Sequence, residues 1–188
     1  IEDLPETQLV QAFRLLPKSM AADVFSYLEL ENQQMIITSM SEKDAAIIID
    51  NLMADDATSL LEEMPANIVK KLLANASPET RSNINHLLRY PEYSAGSIMT
   101  VEFVSFNKGI SVADAIAKLR KEGTSKETLY TCYVTENKKL IGYIDVNTLL
   151  TSSDDTSVCD IMESNVISVM TSDDKEEAIR RIYKYDLI

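Results

Sequence analysis

Tyr90–Thr100 reads "YPEYSAGSIMT", and the chain changes character across it. No glycine occurs in the ninety residues up to Tyr90, whereas all four glycines (Gly96, Gly109, Gly123 and Gly142) fall within or after the stretch. Pro91 cannot continue a helix and biases Tyr90 away from helical backbone, so the last upstream helix is expected to end there. Gly96 is expected to permit a tight turn that a β-carbon would hinder. The stretch reads as a junction between two different kinds of domain, either a hinge or a rigid linker.

Upstream, punctuation recurs about every twelve residues at Pro5, Pro17, Glu29, Ser41, Asp55, Pro65 and Pro78. Each opens a short amphipathic segment with apolar residues at i, i+3, i+4 and i+7, one face of an α-helix. Ala21, Val24, Phe25 and Leu28 make one such face, and Ala45, Ile48, Ile49 and Leu52 another. Ala57, Leu60, Leu61, Met64 and Val69, Leu72, Leu73, Ala76 continue the series. In "SPET", Ser77 is placed to cap, Pro78 to take the first helical position and Glu79 to favour the positive helix end. Helices of two to three turns do not persist alone in water, so they must stack into a right- or left-handed superhelix. The acids Asp44, Asp50, Asp55, Asp56, Glu62 and Glu63 read as solvated faces and first-turn charges. His86, the only histidine, reads as structural or exposed.

Downstream, "FVSF" (Phe103–Phe106) alternates like a strand. "SVADAIAKLRKEG" reads as a helix capped by Ser111 with Asp114 at capping-box spacing, ending at Gly123. "TLYTCYVTENKKLIGYIDV" reads as two strands joined by a polar turn around Glu136–Lys139, and "VNTLL" starts another helix. The pattern then begins again. Ile161–Met162 echoes Ile98–Met99 at a distance of 63 residues, "VISV" echoes "FVSF", and "DDKEEAIRRI" echoes "SVADAIAKL". The second copy stops at Ile188, just where its strand hairpin should follow.

Charge narrows the function. The chain of 188 residues carries a net charge of −12. Seven basic and fourteen acidic residues lie up to Tyr90, and eleven and sixteen beyond it. Acidic surfaces in both halves argue against nucleic acid and anionic lipid and leave cations as partners. No run approaches the roughly 18–20 apolar residues of a membrane span, the longest being Ala45–Ile49. No signal peptide is visible, and the chain opens on Ile1. Cys132 and Cys159 match no metal or redox spacing and read as reduced cytosolic thiols. No glycine-rich phosphate loop or nucleophile elbow supports catalysis.

A β-α-β-β-α unit entered twice through "IM" resembles the CBS domain pair. Together with the short-helix superhelix and the junction residues Tyr90, Pro91, Glu92, Ser94, Ala95, Gly96, Met99 and Thr100, the whole chain resembles the cytosolic region of the MgtE family of magnesium channels and transporters. The resemblance implies an α + α/β architecture: a helical-repeat domain over 1–90, a first CBS domain with the hinge over 91–152 and the start of a second over 153–188. It also implies a magnesium sensor at the cytoplasmic face of the membrane. Its partners would be its own C-terminal transmembrane pore, a second copy paired through the CBS domains and, in the CBS cleft, an adenine nucleotide.

The same resemblance places magnesium ligands at Glu176, at the Tyr183 carbonyl and at Asp186. Where the family junction usually carries an acid this chain has Tyr93, so an ion contact there would fall to Glu92. If Lys175–Tyr185 is helical, Glu176 and Asp186 lie about 15 Å apart along the axis and cannot share one ion. Asp186 and the Tyr183 carbonyl would sit together at the negative helix end, where a cation is favoured. Glu176 also stands at capping-box spacing from Asp173. In the hairpin segment "GYIDVNT", Asp145 occupies the position where nucleotide-binding CBS copies often carry a hydroxyl, and Thr148 the position of their acid.

Overall fold

Proline and serine open most of the short helices, by two devices. The computed structural model describes residues 4–123 and 126–187 and places helices α1 (Glu6–Arg14), α2 (Lys18–Ser26) and α3 (Leu30–Ser39) first. Then come α4 (Glu42–Asn51), α5 (Ala54–Glu62), α6 (Ala66–Asn75) and α7 (Pro78–Leu87). Pro5, Pro17 and Pro65 stand just before α1, α2 and α6 with φ fixed near −56°. Ser41 and Ser77 instead accept a hydrogen bond from the backbone N–H three residues on, of Asp44 and Thr80. Pro78 takes the first position of α7 as expected, where its missing N–H leaves no bond unmade. Segment α5 starts at Ala54 rather than Asp55, and Asp55 and Asp56 become first-turn charges that suit the helix dipole.

Each helix packs on the one two places along, α1 on α3, α2 on α4, α3 on α5, α4 on α6 and α5 on α7. This stacking buries the periodic apolar faces. Phe25, Ile36, Ile49, Leu60 and Ile84 have no exposed surface, and Phe13 meets Phe25 edge-on at 5.8 Å between ring centroids. Burial of such a side chain stabilises by roughly 1.5–3 kcal/mol, which the nine- and ten-residue helices cannot gain singly. Cross-links add to it: Asp50 accepts the Ser77 N–H at 2.8 Å, tying the end of α4 to the cap of α7.

The chain divides into two compact units after Met99, so the junction packs with the helices. Helix α7 ends at Leu87, four residues before Pro91; Arg89 and Tyr90 donate back to the carbonyls of His86 and Leu87 in a tightening last turn. Pro91 therefore follows a helix that has already closed. Gly96 lies in a single 3-10 turn, Ala95–Ser97, with ordinary negative φ. What it supplies is space, since a β-carbon there would overlap the Tyr90 ring.

The second unit contains β1 (Val104–Asn107), α8 (Val112–Glu122), β2 (Thr131–Glu136), β3 (Lys139–Asp145) and α9 (Val146–Thr151). Strands run in the order β1-β2-β3, with β1 parallel to β2 through the α8 crossover and β3 antiparallel. Phe103 falls outside β1, half-exposed, with its ring edge-on to Tyr133. Asn137 and Lys138, both at positive φ, make the two-residue turn whose twist suits a hairpin. Val104, Phe106, Val112, Ala115, Val134, Ile144 and Leu149 form the core.

Beyond α9 the described residues add helices but no further strand. After α10 (Val158–Ile161), Glu163 bridges to Tyr143 through two backbone hydrogen bonds of 2.9 and 3.0 Å. Gly142 lets this segment approach, because a β-carbon there would lie 2.7 Å from the Met162 sulfur. "VISV" does not form the expected strand. A strand needs a partner for its backbone groups, and β1 finds one in β2, whereas no hairpin follows within this sequence. Helix α11 (Lys175–Tyr185) forms as expected but buries no residue, while its counterpart α8 buries Val112, Ala115 and Leu119.

Gly96→Ala is expected to lower the stability of the helical unit by about 1–3 kcal/mol, the usual cost of overpacking, with much of it restored in Gly96→Ala/Tyr90→Leu. Thermal melts decide: a single variant melting like the parent would remove the Tyr90 contact as the reason for glycine.

Candidate functional site

Several acids of the helical unit are occupied locally. Asp44 accepts from the Ser41 hydroxyl at 2.7 Å, and Asp50 from Ser77. His86 is exposed and lies edge-on to Tyr90, with its Nε2 3.4 Å from the phenol oxygen. A cleft of about 280 Å³ in this unit is lined by Phe13, Arg14, Met40, Asp44, Ile48 and Asn51, among others. Its polar members are engaged: Arg14 donates to the Ser39 carbonyl and Asn51 to that of Ile47.

Glu92 belongs to the helical unit and is exposed. Its neighbour Tyr93 holds a left-handed backbone with φ of 68°. The hydrogen bond from Tyr93 to Glu92, and then the Glu92 charge, raise the phenol above its ordinary pKa. The carboxylate at the junction thus already has a partner.

The other three expected ligands lie on α11. Asp174 is the N-cap and accepts the Glu176 N–H at 2.7 Å, while Asp173 turns back to accept from the Met170 N–H. Glu176 is therefore a first-turn charge and not the capping partner of Asp173, and Glu177 is the acid that pairs with Arg180 and Arg181. Ten residues on, about 15 Å along the axis, Asp186 ends the helix in the left-handed region at φ 51°. The N–H groups of Asp186 and Leu187 both point to the Ile182 carbonyl. Neither is spent on the Tyr183 carbonyl, which lies beside Asp186 at the negative helix end. Among the described residues no group of three His, Cys, Asp or Glu side chains is close enough to enclose a metal ion.

Asp186 also borders a cleft of about 350 Å³ in the second unit. The floor is the outward face of the hairpin. Thr131 pairs with Asp145 and Tyr133 with Tyr143 across β2 and β3, so all four point away from the core side occupied by Cys132, Val134 and Ile144. Asn165–Ile167 and Tyr185–Leu187 form the remaining lining. Sequence reading singled out Asp145 and Asp186 separately and did not bring them together. Period-2 alternation in β2 and β3 carried half the signal; the approach of the end of α11 did not show in any local pattern. Cys132 lies beneath this floor, its thiol pushed up to about 11 by burial and then by the Asp145 charge, which leaves it unreactive at neutral pH.

Seven short stacked helices followed by a β-α-β-β-α unit make up the described architecture. Residues 1–93 match the MgtE intracellular N domain and residues 95–155 the CBS domain. The chain is 33% identical over 177 residues to the magnesium transporter MgtE of Thermus thermophilus, covering 92% of this chain and 39% of that protein. It is 28% identical over 188 residues to the MgtE of Bacillus subtilis, covering 100% and 42%. The crystal structure of the cytosolic domain of the Mg2+ channel MgtE in complex with ATP superposes with a TM-score of 0.90 at 32% identity, covering 98% of this chain and 76% of that one. The chain belongs to the MgtE family. It spans about two fifths of the length of the curated relatives it matches, and no described helix is long and apolar enough to cross a membrane.

Proposed function

We propose that this chain is the magnesium-sensing regulatory region of a magnesium channel or transporter, at the cytoplasmic face of the membrane. It performs no catalysis, and it gates a transmembrane pore through ion-dependent closure of the helical unit on the CBS unit. The observation that carries this is likeness along the whole chain, in both units, to the cytosolic domain of a Mg2+ channel. The charge supports it physically. Two acidic units repel on approach, and a divalent cation between them turns repulsion into attraction. Asp186 with the Tyr183 carbonyl is the best-formed half-site; Glu176 and Glu92 are weaker, the first standing alone and the second bonded to Tyr93. The chain pairs with a second copy through its CBS region. Sedimentation equilibrium on the chain with its complete second copy should return twice the chain mass, and a monomer at high concentration would remove that part.

A second reading concerns the cleft. A relative's cytosolic domain crystallised with ATP, and the tyrosine-floored cleft of this chain suits a nucleobase. We infer that an adenine nucleotide or its nucleoside is a further ligand there.

Asp186→Asn is expected to weaken magnesium binding more than Glu176→Gln, with neither unfolding the chain. Asparagine tolerates the left-handed backbone at 186, and loss of the first-turn Glu176 charge costs only about 0.3–1 kcal/mol. Isothermal titration, with melts taken without magnesium, separates the roles. The assignment fails if Asp186→Asn binds magnesium like the parent.

A further inference from the structure

The cleft of about 280 Å³ in the helical unit lies between the end of α1, the start of α2 and the α4 face that carries Asp44, Ile47, Ile48 and Asn51. Its polar side chains are taken by the protein itself: Arg14 by the Ser39 carbonyl, Asn51 by that of Ile47 and Asp44 by the Ser41 hydroxyl. What remains to offer is apolar surface, whereas a small-molecule site usually keeps a few convergent polar groups for its ligand. The apolar surface continues past the mouth. Leu15, 84% exposed, falls between the lining residues Arg14 and Leu16; Met20, 51% exposed, precedes Ala21; Ile47, in the lining itself, is 40% exposed. Charge in this unit is one-sided as well. Residues 1–51 contain nine acidic residues against Arg14, Lys18 and Lys43, a net of −6, while residues 52–90 contain five acidic and four basic residues, a net of −1.

We propose that this cleft docks a basic amphipathic helix of a partner protein, whose large apolar side chains enter between α1, α2 and α4 while its lysines or arginines lie over the acidic half of the stack. The unit has no strand among its described residues, so a partner segment finds no open ladder to join. It must satisfy its own backbone N–H and C=O groups, which a helix does and an extended peptide does not. Side chains three and four apart on that helix form one stripe, the shape that fits a groove between helices. A small apolar molecule in the cleft would leave Leu15 and Met20 in water, whereas a helix laid along the mouth covers them together with Ile47. Charge decides the sign of the partner. A half-unit with a net charge of −6 repels an acidic helix and an anionic lipid surface. It draws a basic helix within the roughly 8–10 Å screening length of physiological salt. Apolar anchors thus supply the affinity, and the surrounding acids select which amphipathic helix supplies the anchors.

The probe is a synthetic peptide of about eighteen residues, roughly five helical turns, with leucine at i, i+3, i+4 and i+7 and lysine elsewhere. Fluorescence anisotropy of the labelled peptide with the 188-residue chain in EDTA is read against two controls. One has the same composition reordered to abolish the stripe, and the other has glutamate in place of lysine. The striped basic peptide should bind about tenfold tighter than either control, the size of one well-seated anchor. Ile47→Gln should weaken it about tenfold and Leu15→Gln severalfold. Tyr27→Gln, at an exposed residue outside the lining, should leave it unchanged. Leu15 is almost wholly in water, so Leu15→Gln keeps the test valid if Ile47→Gln melts lower. Equal binding of either control peptide would overturn the proposal, as would parent-like binding by both Ile47→Gln and Leu15→Gln. Isothermal titration showing dodecanoate bound in the parent and lost in Ile47→Gln would overturn it in favour of a fatty acid. Sedimentation showing a dimer lost in Ile47→Gln would overturn it in favour of a second copy of the chain.

Discussion

A helix of nine or ten residues is too short to persist in water, and everything in the first unit follows from that limit. Helices α1 to α7 hold their shape only because each buries a narrow apolar face against the helix two places along. Five of the seven have correspondingly local caps: a proline with preset φ, or a serine taking one backbone N–H. The acids are then left on first turns, in caps or on the surface. A stack of this kind presents surface rather than an enclosed pocket, and its one described cleft has its polar side chains already bonded.

The second unit obeys a different rule. A strand is stable only where its backbone groups meet another strand, and β2 supplies that on both sides, to β1 and to β3. Helix α11, the counterpart of α8 in the sequence pattern, packs on no described strand pair and buries no residue. Its C-terminal end nonetheless reaches the outward face of the hairpin. There a left-handed aspartate and an aspartate that does not cap border one cleft. Two carboxylates thereby share that border, in a chain whose net charge is already −12.

How legible this was depended on the range of the interaction. Periodicity of 3.6 placed the helices, because their faces are dictated within each segment; Ser77–Pro78 even specified its own cap. Alternation and "ENKK" placed the hairpin. The helix assumed over Lys175–Tyr185 forms with those bounds. Errors arose where the deciding partner was distant or lay outside the segment. "VISV" has strand composition yet no partner. Gly96 is glycine because of the Tyr90 ring, six residues away and on the far side of Pro91. Asp174 rather than Asp173 won the N-cap because the Met170 N–H drew Asp173 back. The meeting of Asp145 with Asp186 was hidden for the same reason, since nothing along the chain links β3 to the end of α11.

The central claim is that divalent cations, and not ionic strength, draw two acidic units together. Small-angle scattering through a titration with magnesium chloride, against sodium chloride at matched ionic strength, tests it most directly. The account predicts that the radius of gyration falls with millimolar magnesium and stays nearly constant with sodium. Equal compaction by both salts would reduce the effect to screening, and no compaction by either would contradict the account.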